Sequence, residues 1–120
     1  MVEIKLNPRE VYNSRPGTTG TVHVIPVFAT NIFNSQWIRA DDMRRITGFV
    51  LSNQASVASG FIIQQSNDES NADYTTSYTV AASTVLAFDV VIVGRYVRFH
   101  YEHAGVEPTV WRACAYLKAT

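Results

Sequence analysis

Cysteine occurs once, at Cys114, so no disulfide can form within the chain. That thiol sits inside a strand-like run, where a small buried apolar residue is its ordinary role. Charge is scarce as well: 17% of the residues are Asp, Glu, Lys or Arg, against about 25% in an average globular domain. Ten basic side chains are balanced by ten acidic ones, giving a net charge of zero. General binders of nucleic acid or of membrane surfaces carry a basic excess, and its absence argues against both partners. No apolar run approaches the ~20 residues that cross a bilayer as a helix. The start, Met1-Val2-Glu3-Ile4-Lys5, has no apolar stretch of the signal-peptide kind, so synthesis in the cytoplasm is expected. The six glycines are scattered and no Gly-Lys-Ser or Gly-Lys-Thr occurs, which removes the phosphate-binding loop. Nothing resembles a nucleophile elbow, so no catalytic residue is assigned and no enzyme or cofactor is expected.

What remains is a β-rich chain. A hydrophobic fraction of 47% and an aromatic fraction of 12% suit a folded globule with one core. Residues 96–103 alternate cleanly: Val97, Phe99 and Tyr101 fall on one face, and Arg98, His100 and Glu102 on the other. Successive strand side chains point to opposite faces, so one side is built for a core and the other for water or a partner. Further strands are expected at 22–28, 32–38, 45–52, 61–66, 74–80, 85–93 and 109–117, with Pro26 arguing for an edge position or a bulge and Gly48 for a bulge. About eight strands at roughly 10-residue spacing argue for a sandwich or barrel. The run 85–93 is apolar on both faces except at Asp89. It reads as a central strand covered on both sides, or as one covered by a neighbouring subunit. Residues 67–73 form a polar loop. Pro8, Pro16, Gly17 and Gly20 break regular structure in residues 1–20, which read as an extended arm with a helical turn near Pro8 as the alternative.

Few groups suggest chemistry. His100 and Glu102 share a strand face roughly 7 Å apart while His103 points away, and zinc needs a third or fourth ligand. The carboxylates and amides of Asn67, Asp68, Glu69, Asn71 and Asp73 are of the kind calcium takes, but without the spacing or central glycine of its loop. No metal site is therefore assigned. Flat rings that could stack on sugars occur at Trp37, Tyr74, Tyr78, Tyr96 and Trp111, though core packing explains Trp111 and Trp37 more simply. Eight of the ten basic residues are arginine, which makes planar, bidentate contacts and is enriched at interfaces. Tyr96 lies on the face of Arg98, His100 and Glu102, and this row reads as an interface. Arg39, Arg44 and Arg45 join Tyr96 and Arg98 as its candidate residues. A net charge near zero favours association.

The segments Gly60-Phe61-Ile62-Ile63-Gln64-Gln65-Ser66-Asn67-Asp68, Tyr78-Thr79-Val80-Ala81-Ala82 and Gly94-Arg95-Tyr96-Val97-Arg98-Phe99-His100-Tyr101, with a last strand ending Tyr116-Leu117, follow a familiar order. Over about residues 48–117 the chain resembles small β-sandwich proteins of tailed-bacteriophage virions, with jelly-roll or galactose-binding-like domains. The resemblance implies an all-β fold: a single antiparallel, jelly-roll-like sandwich at 21–120 behind an N-terminal arm at 1–20. It implies a non-enzymatic virion protein that decorates and stabilises a capsid or belongs to a tail or fibre. The alternative is a carbohydrate- or receptor-binding module. Expected partners are copies of the chain itself, as a trimer clasped by the arm, and the major capsid protein or other virion proteins. A bound carbohydrate stays open.

Overall fold

The structure is a computed structural model, and it describes residues 9–13, 31–106, 108 and 110–119. Among the described residues there are nine strands and no helix. They are β1 (Arg9–Asn13), β2 (Ile32–Asn34), β3 (Ile38–Arg39), β4 (Arg45–Ser52), β5 (Ser56–Ser66), β6 (Tyr74–Tyr78), β7 (Leu86–Val91), β8 (Tyr96–His103) and β9 (Trp111–Lys118). One sheet, A, runs β1-β9-β4-β7. The other, B, runs β2-β8-β5-β6, with β3 also paired to β8. Every pairing is antiparallel. The first strand lies against the last, β2 and β3 against β8, β4 against β7, and β5 against β6. This nesting is a long hairpin rolled into two facing sheets, the jelly-roll arrangement, and it agrees with the expected class.

Alternation builds the core between the sheets. Ile46 and Val50 of β4, Phe61 and Ile63 of β5, and Val97, Phe99 and Tyr101 of β8 are buried, as are Phe88 and Val90 of β7 and Ala115 and Leu117 of β9. The rings interlock: Phe61 stacks on Phe99 with centroids 6.2 Å apart, and Tyr101 meets Trp111 edge-on at 4.4 Å. The space left among them is about 10 Å³, at the limit of a single water.

The structure departs from the expected strands in four places. Residues 32–38 are not one strand. Asn34 faces His100 and Ile38 faces Val97, so four steps on this edge oppose three on β8, and one extra residue is accommodated as a bulge. Buried Ser35 anchors the break, donating its N–H to the Phe99 carbonyl at 2.9 Å and accepting the Phe99 N–H on its Oγ at 2.9 Å. β5 starts at Ser56, before the expected Phe61, because a register slip between Ser56 and Phe61 lets the chain rejoin β8. Gly48 is no bulge, since β4 pairs without interruption on both sides of it. Finally, β7 is not central. Among the described residues it is an edge strand of sheet A, and Val91 within it and Val85 and Val93 flanking it stand exposed.

Within the segment read as an arm, residues 9–13 form β1 and pair with β9 of the same chain. A helical turn near Pro8 is ruled out at Arg9–Asn13, because the backbone there is spent on ladder bonds and Val11 and Tyr12 are buried. The rest of the arm, the expected strand at 22–28 and His23 lie outside the described residues.

Candidate interaction face

The outer face of sheet B is assembled from four strands. β8 supplies Tyr96, Arg98, His100 and Glu102, all half-exposed. β5 supplies Ile62 and Gln64, opposite His100 and Arg98. β2 supplies Ile32 and Asn34, opposite Glu102 and His100, and β3 supplies Arg39, opposite Tyr96. The extra residue between β2 and β3 turns Trp37 out of the core and onto this face. Bulges re-aim side chains in this way. The expectation that Trp37 packs in the core is thereby corrected, while Trp111 does pack there.

Arg98 is the centre of the face. Its guanidinium carbon lies 4.4 Å from the Trp37 ring centroid, a cation–π stack. Its Nε donates to Gln64 Oε1 at 2.6 Å. Burial pushes its pKa down, and an arginine stays charged regardless. Among the described residues no carboxylate pairs with it, whereas Arg9, Arg39 and Arg45 are held by Asp42, Asp41 and Asp89 at 2.9, 2.9 and 2.7 Å. His100 Nδ1 sits 2.8 Å from Asn34 Oδ1. Burial lowers its pKa against the opposing pull of Glu102, with Arg98 lowering it further.

The five residues expected to form an interface divide. Arg39, Tyr96 and Arg98 share the outer face of sheet B. Arg45 begins β4 in the other sheet, Arg44 directly precedes it, and the two border a shallow depression with Val91 and Ala119. Trp37, Gln64 and Asn34 were missed. The local signal is the polar Asn34-Ser35-Gln36 stretch between Ile32-Phe33 and Trp37-Ile38. The sugar-stacking rings do not form one platform either: Tyr78 packs on Phe61 at 6.1 Å and Trp111 on Tyr101.

No family model, curated protein or solved structure matches the chain.

The other candidate chemistry is spent inside the fold. His103 is buried on the opposite face of β8 from His100 and Glu102, as the alternation requires. Among the described residues no three His, Cys, Asp or Glu converge as metal ligands would. Burial raises the pKa of the Cys114 thiol, against nucleophilic use. The buried Tyr12 hydroxyl is pushed up to about 12 by desolvation.

In the polar loop the carboxylates of Asp68 and Asp73 accept backbone N–H groups. Asp68 Oδ1 accepts the N–H groups of Ser70 and Asn71 at 2.9 and 3.0 Å and the Ser66 hydroxyl at 3.0 Å, and Oδ2 accepts Asn71 Nδ2 at 2.9 Å. These donors, the two backbone N–H groups foremost, hold the Asp68 carboxyl well below the usual carboxylate range. A folded-state pKa below the unfolded value of about 3.9 means the stabilisation is complete above that value and fades as pH falls below it. Protection of the Ser70 and Asn71 amides against exchange, taken relative to the free-peptide rate at each pH, is therefore expected to be high at neutral pH and to fall on acidification. Asp68→Ala is expected to show low protection at both, measured by pH-resolved NMR.

Proposed function

We propose that the chain is a non-enzymatic structural protein of a tailed-phage virion, which decorates a capsid by docking other virion protein on the outer face of sheet B. One observation carries the docking face: a half-buried arginine, Arg98, stacked on Trp37 and lacking a carboxylate partner among the described residues. Tryptophan and arginine are the residues most enriched where a few side chains dominate an interface. A pre-stacked guanidinium also loses little freedom on binding. The virion assignment rests on the resemblance and on the jelly-roll nesting, an architecture that viral capsid and lectin domains use. Fold alone does not fix function.

The carbohydrate reading keeps one observation of its own. A cleft of about 220 Å³ lies between β1 and the bulge, lined by Glu10, Gln36 and Trp37 among others. An acid, an amide and an indole are groups that sugar sites combine. Co-sedimentation of the full chain with empty heads of its own phage separates the two readings. Binding is expected, and Arg98→Ala and Trp37→Ala are each expected to weaken it by about 2 kcal/mol without loss of folding. Glycan binding with no sedimentation on heads would transfer the function to the cleft.

A further inference from the structure

Among the described residues four edges bound the sandwich: β1 and β7 in sheet A, and β2 with β3, and β6, in sheet B. A free strand edge is a template for another chain, and proteins blunt such edges with shortness, charge, proline or bulges. Two of these edges are blunted, and a third, β6, is polar. β1 slips register between Glu10 and Tyr12. β2 and β3 are three and two residues long, on either side of the Ser35 break. β6 is five residues with a Thr75-Thr76-Ser77 centre.

β7 has no such device. It pairs with β4 without interruption from Leu86 to Val91. The run 85–93 contains no proline, glycine or lysine. Its one charge, Asp89, is already neutralised by Arg45 of β4 at 2.7 Å. Val85, Val91 and Val93 are 59%, 53% and 62% exposed, and among the described residues no strand lies beyond this edge.

We propose that β7 pairs antiparallel with β7 of a second copy, joining the two four-stranded sheets into one. The strand's own pattern identifies the occupant as itself. Directly opposed residues in an antiparallel pair share a face, so the two-fold axis passes beside a single residue. An axis at Asp89 would set two like carboxylates together, which is destabilising. An axis at Phe88 sets Ala87 against Asp89 of the second copy, and Val85 against Val91 of the second copy at both ends. The solvent face of the contact then holds four exposed valines against one another, with each aspartate still paired to its own Arg45. The contact is isologous and closes as a dimer; it does not build the expected trimer. It stands apart from the Trp37–Arg98 face, which lies on the other sheet, so either proposal can fail alone.

Sedimentation equilibrium of the full chain is the test. The wild type is expected to dimerise with concentration, and amide exchange in residues 86–91 to slow in step. V85K/V91K opposes like charges at both ends and is expected to raise the dissociation constant about tenfold or more. V85D/V91K opposes unlike charges at the same positions and is expected to recover most of that loss. Residues 85 and 91 lie ~20 Å apart along one strand, so the recovery cannot arise within a single copy. A wild type that stays monomeric with concentration-independent exchange, a dimer that V85K/V91K leaves intact, or equal weakening by both double variants would overturn the proposal. Trp37→Ala is expected to leave the dimer unchanged.

Discussion

Gly48→Ala is expected to destabilise the fold by at least about 3 kcal/mol, at the upper end of what overpacking a core costs. Gly48 lies mid-way along β4, between Ala115 of β9 and Phe88 of β7. A methyl group there would land on the Cys114 carbonyl oxygen and come within 2.9 Å of Phe88 Cζ. The first obstacle is backbone in the middle of a sheet and cannot rotate away. The second is a ring locked among Phe61 and Phe99 at 5.6 and 5.9 Å. Relief would require β4 and β9 to part, breaking the ladder that joins the two halves of sheet A. Urea unfolding is the measurement. A loss under 1 kcal/mol would mean that the sheet yields locally and that the close approach at Gly48 is not needed.

Gln65→Leu is expected to cost about 3 kcal/mol, with the damage confined at first to residues 91–95. Gln65 is 1% exposed. Its Nε2 donates to the Val91 carbonyl at 2.9 Å, and its Oε1 accepts the N–H groups of Val93 and Gly94 at 2.7 and 3.0 Å. One amide of sheet B thus satisfies three backbone groups at the end of β7, where the chain leaves sheet A and crosses to β8. Leucine fills the volume and strands all three. A buried polar group left without a partner costs about 1–3 kcal/mol, and water reaching the exposed Val93 recovers part of the total. The expected signature is a lowered melting temperature with fast amide exchange at Val93 and Gly94. Unchanged exchange there would show that the staple is not what holds the crossing.

These two residues show where sequence reading reached its limit. Gly48 reads as a bulge and nothing in the run 61–66 singles out Gln65, because each takes its meaning from segments far along the chain. Gly48 is defined by Phe88 and Cys114, and Gln65 by the turn after β7. The run 85–93 failed in the same way. Apolar residues on both faces announce a strand that wants cover, but not which neighbours provide it, and sheet order left β7 at an edge. Trp37 was hidden for a different reason. Counting alternate residues puts it inward, and only the extra residue beside Ser35 reverses that count.

Composition by itself marked the polar loop at 67–73, and local alternation determined the all-β class, the bounds of β4 and β8, and the face on which Tyr96, Arg98 and His100 stand. Those features depend on which side of a strand a residue occupies, a property with a period of two that the sequence carries directly. Tertiary structure alone decided which strands became neighbours, and so brought Trp37 beneath Arg98, left β7 bare, and placed Gln65 across two sheets. Antiparallel pairing between strands far apart in sequence is set by how the whole hairpin rolls and buries its aromatic core, and no local pattern encodes that packing.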